Sequence, residues 1–230
     1  LLATVTYGSR YNEFKNGALK TSLRENVDLL VIANGVDSEY RKYLETLSTT
    51  INIQVVFLEK NEGSAGGFFE LLTFCKKLNY EFYILLDDDN ELVGNLAEVK
   101  FQHEASFFPR SGRTYVEKAL KGINPTPYLA GENSFLGFDL KRIILKKINH
   151  IDSTKFDINS FNFPWAPYGG LILSKKVMQC GIMPEKRLFL YCDDTIYTNQ
   201  ISKKYGLYIN SKLKIKDVDE SWNVASKGHV

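Results

Sequence analysis

Three consecutive aspartates close an apolar run in Tyr83-Ile84-Leu85-Leu86-Asp87-Asp88-Asp89-Asn90. Carboxylates crowded this closely repel one another unless a cation sits among them, and an all-oxygen donor set suits Mg2+ or Mn2+. The alternative is a solvated turn in which Asp88 or Asn90 caps a following helix. A second acidic group, Asp193-Asp194, follows the apolar segment Leu188-Phe189-Leu190-Tyr191-Cys192. Adjacent carboxylates can divide the work, one held by hydrogen bonds and the other raised in pKa to serve as a general base. Helix capping and the macrodipole explain one of them just as simply. A third feature is the glycine-rich bend Asn61-Glu62-Gly63-Ser64-Ala65-Gly66-Gly67. Glycines there let backbone N–H groups approach a phosphate or sugar. The bend matches neither the dinucleotide fingerprint nor a P-loop, and a tight turn with close helix–sheet packing explains it equally.

These groups need elements to position them. A buried strand at residues 82–86 cannot hold three carboxylates, so the triplet emerges at its carboxyl end, where open α/β sheets place ligands. Upstream, a strand at 2–6 ends at Tyr7-Gly8-Ser9-Arg10 and leads into a helix over about 12–24. A strand at 28–33 stops at Asn34-Gly35, and Ser38 caps a helix to about Leu47. A strand at 51–58, the bend and a helix at 68–78 follow. This alternation predicts a three-layer α/β/α fold with a mostly parallel sheet. The span 101–167, with Pro109, Pro125, Pro127, Pro164 and Pro167, reads as excursions and short strands on the ligand side, including one helix or strand near 140–148. The tail resumes with a strand at 169–174, Ser174 capping residues 175–180, a helix from Asp193-Asp194 to about Tyr205, and a strand-like stretch 207–216 ending at Asp217-Val218-Asp219. One domain over 1–230 is expected.

Composition sets the outer limits. With 230 residues, 44% hydrophobic and 24% charged, the chain is an ordinary globular sequence able to bury a substantial core. A net charge of +2 without a basic run interleaved with aromatics gives no support to nucleic-acid binding. Cys75, Cys180 and Cys192 are far apart and odd in number, which suits free thiols in a reducing compartment. His103, His150 and His229 form no zinc spacing, and no Gly-x-Ser-x-Gly elbow supports acyl transfer. No stretch approaches the ~20 apolar residues of a membrane span. The opening Leu1-Leu2-Ala3 lacks a signal-peptide pattern, and the missing initiator Met suggests an excised domain whose flanks leave room for an anchor.

Taken in order, Val5-Thr6-Tyr7, Asn34-Gly35, Asn61 to Gly67, Leu86 to Asp89, Tyr168-Gly169-Gly170 and Asp193-Asp194 resemble the inverting nucleotide-sugar glycosyltransferases of GT-A fold, family GT2. Within that family the bend, the triple Asp and the double Asp look like those of galactofuranosyltransferases and their rhamnosyltransferase-like neighbours. The resemblance implies transfer of a sugar, with galactofuranose favoured, from a UDP- or dTDP-linked donor to a glycan or lipid-linked glycan acceptor in polysaccharide biosynthesis. Residues 1–100 would form the nucleotide-sugar-binding half and 101–230 the acceptor-binding and catalytic-base half. It implies a cytoplasmic place, with peripheral association at the inner membrane face left open. Thr6, Tyr7, Arg10, Asn34, Asn61, Gly66, Gly67 and Asp88 would border the donor. Asp87 and Asp89 would form the Asp-x-Asp pair on Mn2+ or Mg2+, with Asp219 where galactofuranosyltransferases place a metal-binding His. Asp193 and Asp194 would be the catalytic pair, Asp194 the general base, and Trp165 and Tyr168 an acceptor platform or a cover over the core. Ala33 stands where relatives often carry an acid, and Gln200 where many carry Arg. The Ala33, Asp219 and Gln200 departures leave room for a non-catalytic sugar- or nucleotide-binding module, and a same-fold competitor that also uses acidic residues and a divalent ion is a sugar-1-phosphate nucleotidyltransferase. The latter fits poorly, since Tyr7-Gly8-Ser9-Arg10 is too short and glycine-poor for its loop.

Overall fold

A computed structural model describes residues 1–50, 52–129, 156–190 and 192–219. The stretch expected near 140–148, together with Ile51, His150, Tyr191 and His229, lies outside the described residues. The strands are β1 (Leu2–Gly8), β2 (Leu29–Val36), β3 (Ile53–Leu58), β4 (Phe82–Asp87), β5 (Asn90–Val93), β6 (Ala105–Phe107), β7 (Leu171–Ser174), β8 (Tyr208–Ile209) and β9 (Lys214–Asp217). The helices are α1 (residues 11–25, with a π-helical stretch at Lys15–Leu19), α2 (Ser38–Thr50), α3 (Gly63–Cys75), α4 (Thr114–Leu120), α5 (Lys175–Met178) and α6 (Asp193–Tyr205).

Seven strands form one sheet in the order β3-β2-β1-β4-β7-β6-β8, and β5 pairs with β9 in a separate ribbon. The first four strands are parallel, whereas β7 runs antiparallel to both β4 and β6. Their apolar runs are nearly continuous because helices cover both faces. On one face Leu29, Val31 and Ala33 of β2 and Ile84 and Leu86 of β4 join Phe14, Ala18, Tyr40 and Leu44 from α1 and α2 in a single core. On the other face α3 packs so closely that a Cβ on Gly67 would lie 2.6 Å from the Val5 side chain. Strand order reverses between β1 and β4, the crevice where open α/β sheets bind ligands.

Several boundaries differ from expectation for identifiable reasons. The chain leaves Asp88-Asp89 into strand β5, not into a helix, so neither Asp88 nor Asn90 is a cap. Asp37, not Ser38, caps α2, its Oδ1 accepting from the Tyr40 N–H at 2.8 Å. Ser174 does cap α5, accepting from the Val177 N–H. The stretch 207–216 divides: β8 joins the main sheet while β9 turns away to pair with β5.

The chain divides into two compact units, Leu1–Arg110 with Asn162–Val230, and Ser111–Phe161. The second contains α4, whose Lys118 ammonium lies 5.4 Å from the centre of the Tyr128 ring, and a tilted Phe156–Phe161 contact.

Candidate active site

Asp88 is the buried foundation of the acidic triplet. Only 3% exposed, it accepts Thr6 Oγ1 at 2.8 Å and Arg10 Nε on both oxygens, at 3.0 and 2.9 Å. Thr6 Oγ1 also meets the Tyr40 hydroxyl at 3.0 Å. Helix α1 packs on the backbone beneath: the Ala18 N–H donates to the Asp88 carbonyl, and a Cβ on Gly17 would lie 2.3 Å from that oxygen. The π-helical stretch lies at this contact, as such bulges often do beside functional sites. Burial pushes the Asp88 carboxyl above the usual range although Arg10 and Thr6 pull it down.

Asp89 is similarly enclosed. Burial, followed by the charges of Asp87, Asp88 and Asp217, pushes its carboxyl up to about 7. Arg10 Nη2 stands 3.5 Å from Asp89 and Nη1 3.5 Å from Asp219, so one guanidinium gathers three carboxylates. The wholly buried Asn90 amide donates to Asp89 at 3.1 Å and to Asp217 at 3.0 Å, while its oxygen accepts the Asp87 N–H.

The carboxyl end of β9 completes the cluster. Pairing of β5 with β9 sets Asn90 opposite Asp217, and the Val218 N–H donates to the Asp89 carbonyl. Arg110, just after β6, reaches Asp217 through Nε at 2.7 and 3.0 Å and through Nη2 at 2.6 Å. The same Nη2 lies 3.1 Å from Asp87 Oδ2. Sequence reading missed Arg110, Asn90 and Asp217 as site residues. A lone Arg after a short strand carries no signal, although the Asp217-Val218-Asp219 pattern was visible.

The late acidic doublet lies in the same neighbourhood. Asp193 and Asp194 open α6, and burial raises both carboxyls, with the charge of Asp87 adding to each. Asp193 Oδ2 accepts from Ser64 Oγ at 2.9 Å, tying α6 to the first turn of α3. Asp194 Oδ1 accepts from the Thr195 N–H and hydroxyl. Before the doublet, Phe189 and Cys192 have φ of 55° and 61°, a positive-φ backbone that side-chain-bearing residues adopt at a cost of order 1–3 kcal/mol. The Phe189 carbonyl accepts the Ala65 N–H, and a Cβ on Gly63 would lie 2.1 Å from that carbonyl oxygen.

Several expected site residues are tied into the framework. Thr6 is fully buried with its hydroxyl engaged by Asp88 and Tyr40, so it supports the triplet. The Asn34 amide is also consumed, donating to Asn61 Oδ1 and the Gly63 carbonyl and accepting the Glu62 N–H. Asn61 returns an acceptor to the Gly63 N–H. This closure starts α3 at Gly63, so Gly66 and Gly67 lie inside a helix, against Glu62 and against Val5 with Asn34. Tyr168 is 3% exposed and stacks on Phe68 with ring centres 3.8 Å apart, which makes it a cover over the core. Trp165 is half-buried. Tyr7, 45% exposed with the Arg10 guanidinium 5.3 Å from its ring centre, stays available at the mouth of the crevice.

The donor chemistry fits a hard divalent cation. Five carboxylates (Asp87, Asp88, Asp89, Asp217 and Asp219) face two guanidiniums (Arg10 and Arg110), an excess of three negative charges when all are ionised. Among the described residues no three such groups already converge on one point; Arg10 and Arg110 instead pair with the carboxylates.

No protein-family model matches the sequence, and no curated protein matches it. Solved structures do. The chain is similar to a mannosyltransferase, PcManGT from Pyrobaculum calidifontis in complex with GDP-Man and Mn2+, with TM-score 0.58 and 11% identity over 98% of this chain and 59% of that one. It is also similar to S. aureus TarS, with TM-score 0.55 and 12% identity over 93% of this chain and 36% of that one. For TarS in complex with UDP-GlcNAc the TM-score is 0.52, at 12% identity over 100% of this chain and 61% of that one. The chain thus spans between about a third and three-fifths of these structures. At such identities the likeness shows the fold, a GT-A arrangement with its three α/β/α layers.

Proposed function

We propose that this chain carries the catalytic domain of a nucleotide-sugar-dependent glycosyltransferase that inverts the anomeric centre. The observation that supports the reading best is convergence of the triplet after β4 and the doublet at the start of α6, over a hundred residues apart: Asp193 is bonded through Ser64 to α3, and α3 packs through Gly67 on Val5, the register partner of Asp87. Asp87 and Asp89, with Asp219, would hold a divalent cation. When bound, that ion supplies positive charge against a leaving nucleoside diphosphate. Arg10 and Tyr7, at the end of β1, line the approach of the diphosphate and base. Asp194 accepts the proton of the acceptor hydroxyl as it attacks from the face opposite the leaving group, and the raised affinity of that carboxyl for protons suits a base. Asp193, held by Ser64, positions its neighbour. Trp165 offers the remaining aromatic surface for an acceptor glycan.

The donor is read as UDP- or dTDP-linked, with galactofuranose the first sugar to try because of the family resemblance. GDP-Man and UDP-GlcNAc, bound by the similar structures, complete the panel. The test is release of nucleoside diphosphate from each donor with Mn2+ or Mg2+ and a glycan acceptor, repeated in EDTA. Absence of release and of donor binding across the panel would defeat the reading. Binding without release would leave a non-catalytic module.

A further inference from the structure

The bridge that Arg110 makes between Asp87 and Asp217 is unequal. On the Asp217 side the contacts are multiple and short, at 2.6 to 3.0 Å, and Asp217 is also held by Asn90. The Arg110 backbone bridges to Ile215 on the same strand, whose N–H donates to the Pro109 carbonyl. Arg110 and Asp217 therefore form one fixed unit. On the Asp87 side there is a single 3.1 Å contact, and the Asp87 side chain is 34% exposed. A guanidinium fork gains most from two-point contact with one carboxylate, so the lone contact is the one that yields.

Resting on the glycosyltransferase reading above, we propose that Arg110 is the resident counter-ion of the donor site. It holds Asp87 in the free protein and gives it up, while remaining on Asp217, when a divalent cation binds the triplet. The two positive charges compete for one carboxylate, so Arg110 keeps the cluster ordered when empty and lowers its affinity for a free cation.

The test is Mn2+ titration of the full chain by calorimetry, a readout independent of catalysis. Arg110→Gln removes the competing charge and is expected to bind Mn2+ roughly ten- to a hundredfold tighter than wild type. Arg110→Lys, a point charge that cannot bridge both carboxylates, is expected between the two. Circular dichroism and thermal melting check the fold. Should Arg110→Gln fail to fold, the Lys variant decides: tighter binding supports the proposal, and equal or weaker binding overturns it. Equal or weaker Mn2+ binding by a folded Arg110→Gln protein likewise overturns it, while leaving the proposed transferase standing. Failure of every protein to bind Mn2+, with or without UDP, defeats the cation site itself and this inference with it.

Discussion

Arg10 and Asp88 form a two-point pair, the guanidinium Nε reaching both carboxylate oxygens at 3.0 and 2.9 Å beneath the β1–β4 crevice. The pair lets a carboxylate survive burial next to two others. Removing one partner of such a pair leaves an uncompensated buried charge. Arg10→Met is therefore expected to destabilise the fold by about 2–4 kcal/mol, somewhat less than for a sealed pair because Arg10 retains some solvent contact. Adding Asp88→Asn should recover part of that loss. Urea unfolding of the two single variants and the double variant measures the coupling, and strictly additive effects would exclude it.

On the proposed reading Asp194 is the base and Asp193, bonded to Ser64, positions it. Asp194→Asn is expected to lower kcat by about 10²–10⁴ with donor affinity unchanged, the usual cost of losing a general base. Asp193→Ala and Ser64→Ala cut the tie between α3 and α6 and should instead show lowered stability with a smaller rate loss. Single-turnover transfer and donor binding for all three separate these roles. A full rate in Asp194→Asn would remove it from the chemistry.

Much of this arrangement was legible in the residues. The short apolar strands, the exit of the triplet at a strand end and the α6 start at Asp193 follow from local pattern, because each is written within a few residues. What local pattern does not carry is where polar groups find their partners. Thr6, Asn34 and Asp88, expected at the donor site, also make hydrogen bonds inside the fold, and such closure depends on partners more than twenty residues away. Arg110 was silent for the converse reason: its meaning comes from β9 pairing with β5 and the bridge to Ile215, a long-range event with no local signature. The bend was overextended because the Asn34–Asn61 contact that begins α3 at Gly63 is equally non-local.

Gly169 tests how tightly the acidic cluster is packed. A Cβ there would lie 2.2 Å from Asn90 Oδ1 and 2.7 Å from Asp87 Oδ2. Asn90 is fully buried and bonded on both sides, so it cannot simply move away. Gly169→Ala should displace Asp87, destabilise the fold by about 1–3 kcal/mol and lower transfer activity by about tenfold or more. Thermal melts and donor turnover check both, and a variant equal to wild type in each would show that the cluster tolerates displacement.

Asp89 makes stability depend on pH in a direction opposite to that of a salt-bridged acid. Its carboxyl is pushed from the ordinary 3.8 up to about 7 by burial, then by Asp87, Asp88 and Asp217, with Arg10 acting the other way. Between those two values the folded protein holds a proton that the unfolded chain has released. Stability from this group is thus full below pH 4, declines as pH rises toward 7 and is level above it. The loss is on the order of 2 kcal/mol once the coupling among these neighbours is allowed for. Asp88, Asp193 and Asp194, also raised by burial, slope the same way, so the measurement must be a difference. Urea unfolding of wild type and Asp89→Asn in EDTA, from pH 5 to pH 8, is expected to give a flatter profile for the variant and a gain in stability at pH 8. Parallel profiles would mean that Asp89 is ionised throughout and that its burial is compensated by neighbours other than those identified.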